Sequence, residues 1–459
     1  MVSFIVYDLG FLVLFLLFVV LFLYKNKKNT SREGIMFMYK SQKGVKTFDK
    51  IAKKYSKLWN SLRYPIIFLG YILMASVLYL FGQAVYIYLR HPEITEVIKA
   101  PPIMPLIPYF TQIFNLESIF PNFYFIYFLI AIAVIAIVHE GMHGIYMRMF
   151  NVKIKSTGLL FLGPLLGAFV EQDDKDFMKK SKIQQMVVLG AGVFGNVIFA
   201  LLFFFLMVGF FNVGYAESGY IYNTYAYSIL PASMITSLGA TTNNLTEVFA
   251  NNKTYFVDDV LKVQFERNLT HIVLYEDSPA LESHLDGIIT QIDDIKIRNQ
   301  RELQEFLQNK NPGDMISVRT FNPGEETYSE VNLTLATHPA DKDKAFIGVG
   351  SVLSRPSGRL LGVLIFSITK YKNETTFYQE KFSGAGFIYD LLWWVAMINL
   401  LVAIFNMLPA GIFDGGRFFY LTILGLTGSE KIAKKSSKLV TYFILLLVLL
   451  LLISWLIAL

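Results

Sequence analysis

The sequence predicts a polytopic α-helical membrane protein of about six transmembrane helices, with a re-entrant β-hairpin and an inserted polar α+β domain. Three observations carry this expectation. The 459 residues are 54% hydrophobic and 17% charged, and several apolar runs reach the roughly 20 helical residues that cross a bilayer core of about 30 Å. Lys and Arg crowd some of the connections between these runs and are sparse in others, which sets one consistent orientation with both termini outside. A polar stretch with strand and turn patterning separates the fourth run from the fifth. The formal charge of +6 is modest; its placement carries the information, and no nucleic-acid partner is expected. There are no cysteines, so disulfides and thiolate metal sites are excluded.

Residues 1–122 hold the first two spans. Segment 1, about Phe4 to Tyr24, carries Asp8 near its start and ends at Lys25, Lys27 and Lys28. Without a basic leading region it reads as an anchor with its N-terminus outside, not a cleaved signal peptide. Residues 25–63 contain twelve Lys/Arg against two acids, Glu33 and Asp49. That is a cytoplasmic signature, read as a basic solvated loop at the headgroups of membrane lipid. Segment 2 runs from about Tyr64 to Leu89. The loop 91–122, with Lys99 as its one cation after His91, fits the outer side. No chemistry is assigned to these two segments.

Residues 123–211 follow. Segment 3 begins near Phe123 and ends at Arg148 and Met149. Near its inner end it reads His139-Glu140-Gly141-Met142-His143, an H-E-x-x-H pattern. Residues four apart share a helix face, so both histidines can point at one metal ion, and Glu140 can reach a water bound to it. His139 lies roughly 13 Å short of Arg148 at about 1.5 Å per residue. The site is therefore expected within the bilayer, towards its cytoplasmic side, where ionisable side chains are costly and by default functional. Residues 154–171 are apolar but short, broken by Gly158, Gly163, Pro164 and Gly167 and flanked by lysines at both ends. A hairpin that enters and leaves on one side fits best, with a surface-lying hydrophobic loop as the alternative. Segment 4, about Gln185 to Phe211, contains Gly190, Gly192, Gly195 and Asn196. Small residues permit close helix packing, and Asn196 needs a polar partner inside a bundle.

Residues 212–384 carry 21 acids against 15 Lys/Arg and five N-x-Thr sequons, at Asn244, Asn252, Asn268, Asn332 and Asn373; both features suit an extracytoplasmic domain. Residues 385–459 hold segment 5, about Gly384 to Leu408, then Asp414, a short basic loop with Lys431, Lys434, Lys435 and Lys438, and segment 6, about Leu439 to Leu459. A catalytic zinc takes three protein ligands and leaves one position open. His91, His271, His284 and His338 all lie in outer loops, whereas Asp414 follows an apolar helix at the level of His143. Depth selects it as third ligand; the alternative is an exposed helix-terminal aspartate.

Three motifs in order now complete a pattern: H-E-x-x-H at 139–143, G-x-x-x-N at 192–196 and N-x-x-P-x-x-x-x-D-G at 406–415. Together they resemble the site-2 protease family, zinc intramembrane metalloproteases that cut transmembrane segments of other proteins in regulated intramembrane proteolysis. The resemblance covers segments 3 to 6 and the domain between them. It implies one zinc held by His139, His143 and Asp414, with Glu140 as general base. It also implies that Asn196, Asn406 and the motif's Pro409 position the substrate or stabilise the reaction intermediate. The hairpin at 154–171 would then be the loop that pairs with unwound substrate as an added strand. One departure is the Gly192-Val193 step, where the family commonly has glycine-proline. The rival readings are a catalytically silent membrane scaffold, which the intact Glu140 and ligand set disfavour, and an ion-coupled transporter, which has no need of the H-E-x-x-H spacing and would show internal repeats of its spans.

Within the polar region, Asp277-Ser278-Pro279-Ala280 leads to an Asp286-Gly287 turn and an apolar strand through Ile292. An amphipathic helix follows around Leu303, Phe306 and Leu307, then a turn at Asn311-Pro312-Gly313-Asp314 and a strand at Met315–Arg319. That order resembles a PDZ domain of the protease-attached kind. Phe346–Gly350 is the expected edge strand, and a peptide C-terminus the candidate ligand. In the family such a domain is thought to admit substrates whose outer part has already been trimmed.

Overall fold

The structure is a computed structural model that describes residues 4–90, 101, 106–117, 119–242, 244–266, 269–352 and 371–458. His91, Lys99 and the sequon asparagine Asn268 lie outside the described residues. The chain divides into two compact units, Met1–Phe210 with Gly386–Leu459, and Phe211–Ala385.

In the first unit, helix α1 (Phe4–Lys25) leads into strands β1 (Thr30–Glu33) and β2 (Met36–Ser41), then α2 (Lys43–Lys54) and α3 (Arg63–Arg90). Helix α4 (Phe125–Met149) carries the H-E-x-x-H pattern and is followed by β3 (Ile154–Leu162), β4 (Leu165–Gln172) and α5 (Lys182–Gly214). The first unit and the six apolar spans of the sequence meet in α1, α3, α4, α5 and two later helices, Ala385–Asn406 and Glu430–Ala458, all long and apolar enough to cross a membrane. The molecule is a multi-pass membrane protein.

The basic connection after segment 1 is not a merely solvated loop, as its charge suggested. Its first part forms the β1–β2 hairpin, and β2 pairs antiparallel with β3, Tyr39 opposite Leu159, so that one four-stranded sheet runs β1-β2-β3-β4. Its second part is amphipathic helix α2, whose lysines face solvent while Val45 and Phe48 pack on the helix core. Phe48 lies against α4 where a Cβ on Gly144 would stand 2.4 Å from its ring, and Asp49 pairs with Arg148 at 2.6 Å. Charge counting registered the lysines but not the alternate apolar face that docks them.

The 154–171 run folds as the expected hairpin. Leu162 pairs with Leu165, leaving a two-residue turn in which Gly163 adopts φ +58°, a conformation glycine enters without a Cβ penalty.

Asp8 has a structural task that its position in segment 1 did not reveal. It is 3% exposed and accepts hydrogen bonds from the Phe125 and Ile126 amides, at 2.6 and 3.0 Å, and from the Tyr109 hydroxyl at 2.6 Å. Those amides are the orphan donors of the first turn of α4, whose own N-cap residue, Tyr124, supplies no side-chain bond. A carboxylate from one span thus caps the helix that carries the histidines, satisfying donors that apolar surroundings would leave stranded.

In the second unit, β5 (Tyr215–Tyr220), β6 (Thr224–Tyr225) and β7 (Tyr227–Pro231) precede a meander of β8 (Ile235–Thr242), β9 (Leu245–Ala250) and β10 (Lys253–Val257). After α6 (Asp259–Glu266) and β11 (His271–Glu276) come β12 (Ile288–Ile292), β13 (Ile295–Lys296), α7 (Gln300–Gln308), β14 (Met315–Asn322) and β15 (Thr327–Thr334). Strands β16 (Ala336–His338), β17 (Asp341–Phe346), β18 (Val349–Gly350) and β19 (Thr376–Glu380) complete it. One sheet runs β15-β14-β12-β5-β19 with β13 against β12. It buries Leu285, Ile289, Ile292, Val318, Leu303 and Phe306 in one core. Helix α7 forms where expected, its N-cap Asn299 accepting from the Glu302 amide at 3.0 Å.

Two features differ from expectation. A second sheet, β7-β11-β10-β9-β8, has its own core of Val248, Val257, Ile272 and Leu274; the sequence reading assigned no structure there. The expected edge strand at Phe346–Gly350 is divided between two short pairings, β17 with β16 and β18 with β6. Gly348 at φ +91° breaks it, because that backbone region is incompatible with a continuous strand.

Returning to the first unit, α8 (Ala385–Asn406) ends in a turn, then α9 (Asp414–Thr427) and α10 (Glu430–Ala458) close the chain. Helix α9 was not anticipated. The lysines read as a basic loop lie instead on the opening turns of α10, where Lys434 pairs with Glu430 at 3.2 Å. Ile66, Tyr146, Val187, Ala403 and Phe418 belong to the buried cluster that joins α3, α4, α5, α8 and α9.

Replacing Asp8 by Ala should lower the thermal unfolding midpoint of the detergent-solubilised chain, each orphaned buried donor costing roughly 1–3 kcal/mol. Asp8→Asn, which keeps one acceptor, should cost less. An unfolding midpoint unchanged in Asp8→Ala would refute the cap.

Candidate metal centre and active site

Helix α4 forms because its residues are apolar over a membrane's length, and the four-residue spacing then stacks His139 above His143 on one face. Both imidazoles are buried, at 8% and 7% exposure. Their Nε2 atoms stand 3.0 Å apart, and the other ring nitrogen of each is engaged by α5. His143 Nδ1 donates to the Val188 carbonyl at 2.7 Å, and His139 Nδ1 faces the Asn196 side-chain amide at 3.1 Å. Helix α5 thereby orients both rings from behind, the arrangement that fixes tautomer and aim in ligating histidines.

Asp414 arrives from the other end of the chain. After α8 ends at Asn406, a tight turn bonds the Ala410 amide to the Leu408 carbonyl and the Phe413 amide to the Ala410 carbonyl, at 2.7 and 3.0 Å. Helix α9 then begins at Asp414. A Cβ on Gly415 would lie 2.3 Å from the Met407 carbonyl carbon, and one on Gly416 2.2 Å from the Ala410 oxygen. Only glycines let the chain fold back this closely. The turn brings Asp414 Oδ2 to 3.3 Å from both His139 Nε2 and His143 Nε2.

These three side chains are the one group among the described residues able to offer three ligand atoms to a single ion. The donor set fits zinc. Ligands of a tetrahedral ion with bonds of about 2.0–2.1 Å stand about 3.3 Å from one another, and the separations here are 3.0 and 3.3 Å. Asn196 supplies a second indication. It is fully buried, and its Oδ1 has no partner while its Nδ2 faces His139 Nδ1. With Nε2 given to a metal, Nδ1 must carry the ring proton; the amide turned end for end then accepts it on Oδ1.

The remaining residues assemble around a cleft of about 540 Å³, lined by His139, Glu140, His143, Asn406 and Asp414 with the edge of β4. Glu140 Oε2 accepts a hydrogen bond from the Val170 amide of β4 at 3.0 Å. Pro409 is buried in the turn between α8 and α9 and is not part of the cleft wall. So the structure brings together six of the seven residues singled out in the sequence, and Pro409 serves the turn that delivers Asp414.

A family description, Peptidase family M50, matches residues 127–451. The chain belongs to peptidase family M50. The matched span contains all the motif residues. Two curated relatives match part of the chain at low identity. Zinc metalloprotease RasP of Shouchella clausii is 25% identical over 187 residues, 35% of this chain and 44% of the relative. An uncharacterized protein of Methanocaldococcus jannaschii is 28% identical over 169 residues, 36% of this chain and 40% of the relative. The M50 chain thus aligns with less than half the length of either.

Sequence reasoning did not find every group that shapes this M50 site. Gly192 was read as the first position of a motif and a packing residue. A Cβ there would lie 2.5 Å from His143 Nε2 and 2.7 Å from His139 Cε1, so its lack of a side chain makes room for both imidazoles. The Val188 carbonyl and Val170 amide are backbone groups, for which side-chain identity carries no signal.

Gly192→Ala should therefore weaken zinc binding at least ten-fold while the chain remains folded. Zinc content under competition with a chelator measures this, against the thermal midpoint as a fold control; retention of zinc at the original affinity would overturn the assignment.

Proposed function

We propose that this chain is a zinc-dependent intramembrane endopeptidase of the site-2 protease type, which cleaves transmembrane segments of membrane proteins in regulated intramembrane proteolysis. The observation that carries the reading is the convergence of His139, His143 and Asp414 beside Glu140 in one cleft, inside a bundle of membrane-length helices.

In this reading His139 and His143 bind through Nε2 and Asp414 through Oδ2. Zinc, when bound, is a Lewis acid that polarises the scissile carbonyl and brings the pKa of water towards about 7. Glu140 accepts the proton of the attacking water and returns it to the leaving amine, so one carboxylate acts first as base and then as acid. Asn196 holds His139 in its ligating tautomer. Asn406, half-buried on the cleft wall, offers an amide donor to the substrate carbonyl or the charge that develops on it.

A helical substrate hides its carbonyls in hydrogen bonds and must unwind before attack. The edge of β4, unpaired among the described residues, borders the cleft, and strand addition there compensates the freed backbone groups of the substrate. The charge pattern favours a hairpin that re-enters the bilayer and a site near the cytoplasmic face, with Phe211–Ala385 extracytoplasmic. In that outer unit, a groove of about 360 Å³ between α7 and β17, lined by Leu303, Leu307, Phe346 and Ile347, supports a PDZ-like role in binding a peptide C-terminus or filtering substrates by the size of their outer part.

The test uses the purified full chain in proteoliposomes with a single-span substrate labelled on both sides of its membrane segment. Glu140→Gln should retain zinc and lose cleavage by at least 100-fold, the scale of a general base. Cleavage that survives this change would exclude the mechanism, and a protein free of zinc when purified without chelator would exclude the metal.

A further inference from the structure

The Glu140 to Val170 bond has a geometric consequence for how substrate is presented. Among the described residues, strand β4 is the edge of its sheet, with β3 on one side and no strand on the other. Val170 pairs with Thr157, Ala168 with Leu159 and Leu166 with Phe161. Because the Val170 amide donates to Glu140, it points away from β3. In an antiparallel ladder the direction alternates, so the amides of Leu166, Ala168 and Val170 all face outward, and all three residues line the cleft.

From this we infer that the Val170 amide is a positioning group for the catalytic base, and that it ends the ladder open to substrate. The inference rests on the endopeptidase reading above. An incoming strand can pair at Leu166 and Ala168, but at Val170 it meets a donor already held by Glu140. The substrate backbone must leave the edge at that rung. Its next peptide group, no longer hydrogen-bonded to β4, faces Glu140 and the two histidines instead. One carboxylate oxygen of Glu140 is fixed by the strand, leaving Oε1 to take the proton of the attacking water. The same bond thus aims the base and sets the register at which unwound substrate is exposed to it. Glu140 and the strand that pairs with substrate act as one unit.

Proline at an outward-facing edge position removes the donor without breaking a ladder bond. Val170→Pro should therefore lower kcat at least ten-fold, with KM changed less than two-fold and zinc content unchanged. Val170→Ala, which keeps the N–H, should recover kcat relative to Val170→Pro. Ala168→Pro removes a rung used only by substrate and should instead raise KM several-fold. Should Val170→Pro raise KM and spare kcat, Val170 would be a third substrate rung and the inference would fail. A second measurement needs neither activity nor a proline. In the zinc-loaded full chain labelled with 15N-valine, the Val170 amide should exchange with solvent at least ten-fold faster in Glu140→Ala than in the unaltered protein. Equal rates would overturn the bond. This readout is independent of cleavage, so an active Glu140→Gln enzyme would exclude Glu140 as the base, and a chain that cleaves no substrate would sink the endopeptidase reading, while in either case the Glu140–Val170 bond is judged by exchange alone.

Discussion

The structure depends on one constraint: a polar group placed inside an apolar helix bundle must find its partner there, because lipid offers none. His139, His143 and Asp414 would be costly as separate buried groups. Brought within 3.3 Å of each other, they become mutual partners and a ready ligand set. The arrangement propagates outward in shells. Val188 and Asn196 on α5 take the outer nitrogens of the rings, and Val170 takes one oxygen of Glu140. Asp8 on α1 satisfies the first turn of the same helix at its far end. The partners come from four segments, so the polar groups tie α1, β4, α5 and α9 to α4.

Close approach is the second requirement, and it is met by glycine. Gly192 admits the imidazoles, Gly144 the ring of Phe48, and Gly415 the carbonyl of Met407, all at distances where a Cβ would overlap. With little hydrophobic drive between helices in lipid, packing of small residues and a few hydrogen bonds are what hold helices together. At Gly192 the two requirements coincide, since the residue that lets α5 approach α4 is also the one that leaves space for the ligands.

Much of this was legible in the sequence for reasons that can be named. Spans are readable because a bilayer demands length and apolarity, and lysine placement puts His143 and Asp414 at like ends of their helices, a pairing matched by their 3.3 Å separation. The hairpin was readable because Gly163-Pro164 interrupts a run too short to cross. Helix α9 was not, because Phe418–Thr427 is neither long enough for a span nor polar enough for a loop. The β1–β2 hairpin was hidden by its charge: Arg32, Glu33 and Lys40 look like a solvated loop, while the backbone pairing of Tyr39 with Leu159 leaves no trace in composition. Phe346–Gly350 was misread as one strand because alternation of apolar residues does not register the positive φ at Gly348. Of the site, the side chains that converge were legible and their backbone partners were not.

The sheet itself has two edges, and they differ in a way that bears on function. The outer edge is β1, four residues long with Arg32 and Glu33 exposed at its end. Short, charged edges discourage addition of another strand. The inner edge is β4, eight residues of mainly apolar side chains, all half-buried, bordering the cleft that holds Glu140, His139, His143 and Asp414. By adding β1 and β2 to the far side, the N-terminal segment occupies the edge of β3 that would otherwise also accept an extended chain. In the proposed reading, strand addition is then directed to the longer edge, beside His139, His143 and Asp414. On that reading the residues after segment 1, read in the sequence as a basic solvated loop, take a part in selecting where an unwound chain can bind.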